Sequence, residues 1–277
     1  PVRQSRTRGR TRREARRRNA GQVIERIARL SLETHPFLLD HAIDGTPVLP
    51  LVVAIDLFLD AVAPWFDSGD LVIEDVRVLR GVRLRALEDG EALRLRAERV
   101  TNGVDGAKLE LYDNNGELAY TARARVVAET EADLADITET SAPYDGVVYD
   151  GKLLFHGPTL HALHDVRAPA EEGMRAGVHH AAQLGWPTRF HADPAALDGA
   201  MQLAVLWTSR WVSGLSLPLR VERFRKLGSF EGDLRLRLRG RSATKSRAVS
   251  DVDVLDAAGR LVATLRGVEV YKYRSLA

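Results

Sequence analysis

Two stretches of the chain are apolar on nearly every side, and each is followed by residues that alternate. Between Leu49 and Phe66, positions 51–55, 57–59 and 61–63 are all apolar. A helix without a polar face must be covered on most sides. Pro50 stands where a first helical residue needs no N–H, and Pro64 marks the far end. Then the period changes to two: Val76, Val78, Val82 and Leu84 alternate with Arg77, Arg83 and Arg85, and Leu93, Leu95 and Ala97 with Arg94, Arg96 and Glu98. This predicts strands with one buried and one wet face. Lys108 to Tyr112 and Leu118 to Val126 flank Asp113-Asn114-Asn115-Gly116, whose Asn-Gly step predicts a hairpin. Gln22 to Leu32 has helical or mixed spacing.

The second half repeats that order. An apolar helix is expected over Leu197 to Trp211, then Leu234, Leu236 and Leu238 alternating with Arg235, Arg237 and Arg239, then a last hairpin. The hairpin tips resemble each other: Leu111-Tyr112-Asp113-Asn114-Asn115-Gly116-Glu117-Leu118 against Val254-Leu255-Asp256-Ala257-Ala258-Gly259-Arg260-Leu261. Two copies of one unit is the economical explanation. A long helix wrapped by a curved antiparallel sheet is the hot-dog arrangement, so the expected fold is α+β, a double hot dog. Residues 1–20 are expected as a disordered tail or linker, 21–130 as the first hot dog, 131–147 as a linker and 148–277 as the second; Glu129 to Thr140 is acidic and Ala-rich and leads to Pro143.

Charge divides the chain in the same way. Residues 1–20 hold nine arginines, Arg3 to Arg18, against Glu14, so this tail carries +8 and the rest −6 of the net +2. A like-charged block without apolar residues does not order itself. A nucleic-acid contact is the alternative for residues 3–18, and it is disfavoured because no aromatic is interleaved to stack on bases. The chain has no cysteine, which removes disulfides and thiolate chemistry. Its longest apolar stretch, Val48 to Val62, carries Asp56 and Asp60, no run approaches the roughly 18–20 residues that span a bilayer, and no secretory leader opens it. The expectation is a soluble, cytoplasmic protein with no membrane partner. The opening Pro1 suits a segment of something longer.

The chemistry-bearing residues gather at the helix starts. His41 precedes the first helix in His41-Ala42-Ile43-Asp44-Gly45-Thr46-Pro47-Val48-Leu49-Pro50. Gly45 permits a tight backbone path near a ligand and Pro50 fixes the helix start, so His41 is placed where a general base could stand. Asp198 is expected to open the second helix, with Gln202 one turn on along the same face. Spacing alone favours a carboxylate that merely suits the helix dipole.

His41 through Pro50 fits the HxxxGxxxxP motif, and Asp198 to Gln202 the DxxxQ/H motif, of the dehydratase domains of polyketide and fatty acid synthases. The sequence resembles that family over about residues 25–275. Leu32-Glu33-Thr34-His35-Pro36-Phe37-Leu38-Leu39-Asp40-His41 looks like its approach to the catalytic histidine, and Leu217-Pro218-Leu219 like an element after the second helix. Where the family has a YGPxF-like segment, this chain has Phe155-His156-Gly157-Pro158-Thr159-Leu160, with His156 at the tyrosine and Leu160 at the phenylalanine position. The Phe-His-Gly-Pro version looks like dehydratases of polyunsaturated fatty acid and enediyne-type iterative synthases. His156 replaces the tyrosine as a polar contact or merely packs.

The resemblance implies removal of water from a β-hydroxyacyl thioester held by phosphopantetheine on an acyl carrier protein, His41 acting as base and Asp198 as acid. Gln202 would orient the carboxyl, and the N–H groups of Leu51 and Val52 are candidate oxyanion donors. No cofactor is required, and the sequence holds no dinucleotide, nucleotide or zinc-protease motif. A metal at His161 and His164 or at His179-His180 is disfavoured, since no cysteine or acidic ligand cluster accompanies them. The implied partners are the carrier protein, the other synthase domains and a second copy of the chain. Alternatives are a cyclase or a double-bond isomerase on the same fold, a non-catalytic carrier-binding scaffold, or a nucleic-acid module served by the tail. Trp65, Phe66, Trp186, Trp207 and Trp211 are large enough to cap an acyl tunnel, core packing being the expected role for most of them.

Overall fold

The computed structural model describes residues 21–66, 71–100, 105–127, 142–187 and 189–273. The arginine-rich tail and linker residues 131–141 lie outside these. The first half comprises β1 (Val23–Leu30), the short β2 (Ala42–Ile43) and β3 (Thr46–Pro47), α1 (Leu51–Val62), β4 (Leu71–Val78), β5 (Glu91–Val100), β6 (Gly106–Tyr112) and β7 (Leu118–Val126). The second comprises β8 (Leu163–His164), β9 (Gly173–Val178), α2 (Pro194–Thr208), β10 (Ser216–Lys226), β11 (Leu234–Ala243), β12 (Arg247–Leu255) and β13 (Leu261–Lys272). Eleven strands form one antiparallel sheet in the order β1-β5-β6-β7-β4-β10-β13-β12-β11-β9-β8.

Each half of the sheet wraps its own helix. α1 packs on β1 and β4–β7, α2 packs on β8–β13, and the helices touch each other. All fifteen residues of α2 are buried; in α1 only Leu57 and Asp60 are not. Coverage on all sides is what an apolar helix demands.

The halves join where β4 pairs with β10, from Val72–Arg225 to Arg77–Arg220. The pairing sets Arg77 opposite Arg220, a repulsive placement that Asp75 offsets. It adopts φ +51 where the register of β4 on β7 slips, and its carboxylate accepts from Arg77 Nε at 2.8 Å and Arg220 Nε at 2.9 Å.

Both predicted hairpins form, with the same turn. Asp113 N–H donates to the Glu117 carbonyl at 2.9 Å, and Asp113 Oδ1 accepts from the N–H groups of Asn115 and Glu117 at 2.9 and 2.8 Å. Asp256 repeats each bond, to the Arg260 carbonyl and from the N–H groups of Ala258 and Arg260, all at 2.9 Å. Gly116 and Gly259 take φ +80 and +79. The sequence repeat is therefore a structural repeat.

Several expectations need correction. Gln22 to Leu32, of helical or mixed spacing, contains the edge strand β1 paired with β5. Val82 and Leu84 are buried as expected but belong to no regular strand: their segment bridges to the α1 approach through Leu49 N–H to the Val82 carbonyl and Leu84 N–H to the Pro47 carbonyl. The outer sheet face is not simply wet, because arginine stems cover carboxylates there. Asp253, fully buried, meets Arg237 at 2.9 Å and Arg266 at 2.8 Å. Within the expected linker, Pro143 bridges to Arg167 and Tyr144 N–H donates to the Val166 carbonyl, so this stretch is packed onto the second half. Trp186 stacks on Phe37 at 3.5 Å, and Trp207 lies buried beneath Gly240, whose missing Cβ leaves room for the indole.

Candidate active site

The two loops that precede the helices' shared cavity are laced together. Pro36–Asp40 forms a single 3-10 turn with His41 at its C-terminal end, and Pro158–Leu160 forms another directly after His156 and Gly157. Asp40 ties them: its carbonyl accepts from Gly157 N–H at 2.8 Å, and its carboxylate accepts from Thr159 N–H and Oγ1, both at 2.7 Å. A Cβ on residue 157 would lie 2.5 Å from the Asp40 carboxyl carbon, so only glycine permits this crossing.

Gly45 makes the tight turn before the first helix. Asp44 and Gly45 take φ +50 and +71 between the paired β2 and β3, which is the type I′ geometry of a two-residue hairpin. A Cβ at Gly45 would meet no protein atom within 4 Å, so within the protein the glycine answers the positive φ of the turn. That turn folds the chain back, so that His41 Nδ1 lies 2.8 Å from the Val48 carbonyl. A carbonyl only accepts, so Nδ1 carries the hydrogen and Nε2 keeps its lone pair.

The second helix starts earlier than its apolar pattern suggests. Asp193 is the N-cap, accepting from Ala196 N–H at 2.9 Å, and Pro194 is the first helical residue. Asp198 thus stands in the second turn and does not cap the helix, which removes the dipole reading. At the start of α1, Pro50 is itself the cap and not the first helical residue: its carbonyl accepts from Val53 and Ala54 N–H, and no side chain caps this end. The N–H groups of Leu51 and Val52 are those a helix leaves without internal partners. Both residues line the cavity.

Three side chains converge there. Single ligand-type atoms of His41, His156 and Asp198 all lie within 4.8 Å of one another. His156 Nε2 is 3.3 Å from Asp198 Oδ2, with the two side chains 7% and 6% exposed. His156 is therefore a polar neighbour of the carboxyl, though it also stacks on Phe155 at 4.5 Å. Gln202 donates from Nε2 to Asp198 Oδ2 at 2.7 Å and to the Leu160 carbonyl at 2.9 Å. The carbonyl fixes which end of the amide is NH2.

Tyr149, which no sequence motif marks, locks that amide. Its hydroxyl donates to Gln202 Oε1 and accepts from Leu163 N–H, each at 2.8 Å, and its ring stacks on His161 at 3.8 Å. No spacing rule links Tyr149 to positions 198 and 202; a buried glutamine whose amide needs hydrogen-bond partners is the available signal.

Burial sets the protonation states. It lowers His41 to about 4, with His156 pushing the same way and Asp198 partly opposing. It lowers His156 to about 3, helped by His161. It raises Asp198 above the ordinary carboxylate range, against the pull of His41 and of the Gln202 hydrogen bond. Near neutrality the site holds two neutral imidazoles and a carboxyl biased towards its protonated form.

The surrounding cavity of about 730 Å³ is mostly apolar, with Ile43, Leu79, Leu153, Met201, Val205 and Leu217 among its walls. Leu217-Pro218-Leu219 thus contributes to it, whereas the five bulky aromatics named above are not among its lining residues. His164 and His179, which invited a metal reading, instead stack on each other at 4.5 Å.

Comparison with known proteins places the chain in a family and a fold. Residues 128–277 match the family described as the polyketide synthase dehydratase N-terminal domain, and residues 14–112 match the polyketide synthase dehydratase domain. A polyunsaturated fatty acid synthase subunit from Thraustochytrium sp. is 28% identical over 217 residues, which cover 73% of this chain and 8% of that protein. The chain thus spans under a tenth of that relative's length. Among solved structures, the dehydratase domain from the CurJ module of curacin polyketide synthase is 20% identical at a TM-score of 0.75, covering 91% of this chain and 92% of that one. An isomerase-inactive variant of GphF DH1 is 17% identical at 0.69, covering 92% and 93%. At these identities the structures show the fold alone, a double hot dog.

Proposed function

Because the chain belongs to the polyketide synthase dehydratase family, we propose that it removes water from a β-hydroxyacyl thioester carried on the phosphopantetheine of an acyl carrier protein. The observation that carries this is the meeting of a neutral imidazole with a raised-pKa carboxyl inside one apolar cavity. His41 Nε2 takes the α-hydrogen. The electron pair of that C–H bond forms the α,β double bond as the β-carbon–oxygen bond breaks. Asp198 gives its proton to the departing oxygen, which leaves as water. Imidazolium and carboxylate remain, and return of one proton from His41 to Asp198 resets the pair. Leu51 and Val52 N–H groups receive the charge that grows on the thioester oxygen. Gln202, held by Tyr149, keeps the carboxyl turned to the cavity.

The apolar walls fit a reduced acyl segment, in keeping with the kinship to a fatty acid synthase. The reaction needs no cofactor. The carrier protein, the neighbouring synthase domains and a second copy of the chain are the partners this reading implies. No helix among the described residues is long and apolar enough to cross a membrane.

The test is mass spectrometry of β-hydroxyacyl carrier protein incubated with the chain and with His41→Ala and Asp198→Asn. Loss of one water by the parent alone is expected. A second reading, a double-bond shift, uses the same base and acid and is raised by the isomerase named for one structural neighbour. Isomerisation leaves the acyl mass unchanged, so an unaltered hydroxyacyl mass across chain lengths and both alcohol configurations, with a shifted alkene from an enoyl substrate, would replace dehydration by it.

A further inference from the structure

We infer that His41, His156 and Asp198 form a three-ligand site for a divalent transition-metal ion, zinc in particular, whose binding blocks the site. This goes beyond the dehydration reading and does not depend on it. The three residues are the group among the described residues whose ligand atoms come within 4.8 Å of one another. In tetrahedral zinc sites with bonds of roughly 2.0–2.2 Å, neighbouring ligand atoms stand about 3.3–3.5 Å apart. His156 Nε2 and Asp198 Oδ2 are already 3.3 Å apart, and a ligand atom of His41 lies within 4.8 Å of both residues. Two imidazoles and one carboxylate are ligands that zinc favours, and the fourth position opens on the cavity that all three line.

The outer shell is in place for two of the three ligands, His41 and Asp198. Metal-bound histidines donate their second ring N–H to a carbonyl or carboxylate, and bound carboxylates accept hydrogen bonds. His41 Nδ1 is held by the Val48 carbonyl, and Asp198 is held by Gln202. His156 Nδ1 is buried without a hydrogen-bond partner, so it is Nε2, the atom facing Asp198, that is directed at the cluster. The third ligand exists only because residue 156 is histidine; a tyrosine there would offer a phenol, which must lose a proton of pKa near 10 to bind a metal.

Binding has defined consequences. The ion takes the lone pair of His41 and displaces the proton of Asp198, so about one proton is released per ion under conditions where that carboxyl is protonated. Neither residue can then accept or donate a proton until the ion leaves.

The experiment is a titration of the full chain with Co2+, a coloured substitute for Zn2+. Expected are the intense visible bands of a four-coordinate ion saturating at one equivalent, displaced by Zn2+ and removed by EDTA. His156→Tyr and His156→Gln should each weaken binding by more than the roughly 10- to 100-fold that loss of an outer-shell partner costs. Circular dichroism shows which variant is folded, and either one suffices. The inference is overturned by the absence of saturable binding in the parent, by unchanged affinity in a folded His156 variant, or by loss of binding in His164→Ala, which would move the ion to the stacked His164 and His179. No acyl substrate enters the titration, so a failure of the dehydration reading leaves this result standing.

Discussion

α1 starts at Pro50 without a side-chain cap, whereas α2 starts at Asp193, whose carboxylate accepts from Ala196 N–H and from Ala181 N–H. The two helices hold equivalent places in a duplicated frame, down to hairpins that close with the same hydrogen bonds. An uncapped start that lines the cavity keeps its N–H groups for a ligand. A capped start gives up that option, and α2 instead presents side chains from its second and third turns, Asp198 and Gln202. The two halves share one frame; the groups proposed to do chemistry stand where the halves differ.

The sharpest way to break that comparison is to remove the divergent groups. His41→Ala and Asp198→Asn should each lower the dehydration rate by about 10²–10⁴-fold, read by the mass assay. In the parent, protonation of His41 stops the reaction only as pH falls towards about 4, and ionisation of Asp198 stops it on the alkaline side. The residual activity of Asp198→Asn should keep the acid limb and lose the alkaline one.

Next in size is Asp56, where α1 reaches across to the approach to α2. Its carboxyl accepts from Ala192 N–H at 2.7 Å, and burial raises it to about 6 against that bond. Its stabilising contribution is complete below the unfolded value of 3.8 and is lost as pH rises through about 6. Asp56→Asn, which keeps the acceptor, should remove this contribution, so that its stability relative to the parent improves by about 2–3 kcal/mol between pH 4 and pH 7, read by denaturant unfolding of both proteins at each pH.

Smaller effects test the frame itself. Asp193→Ala should cost about 1–2 kcal/mol of unfolding free energy. Pro50→Ala removes no cap bond and should cost less, about 0.4–1 kcal/mol through chain entropy. Smallest and most symmetric are the hairpins: Asp113→Ala and Asp256→Ala should each cost about 1 kcal/mol and agree within about half of that.

Much of this is legible in the sequence. Both apolar helices, the alternating strands and the repeated hairpin tips follow from periodicity, and the sequence pattern names His41, Asp198, Gln202 and His156, which the fold brings together. What it hides are matters of boundary and of long-range pairing. Asp193 escapes the apolar pattern because that run starts only after Pro194, although Asp-Pro is a helix-start signal. β1 escapes it because Arg26 interrupts the inward positions Ile24, Ala28 and Leu30 while apolar Val23 and Ile27 stand exposed on the other face. Tyr149 and the Asp40–Gly157 crossing join positions more than 50 and 100 residues apart, which local patterns do not encode.

The β4–β10 seam makes the sheet a single curved plate, stitched backbone to backbone where the halves meet. In mechanical terms it is a second load path beside the covalent one. A chain nicked between β7 and the second half should therefore behave as a split protein that reassembles itself, its two pieces held edge to edge and His41 on one still facing Asp198 on the other.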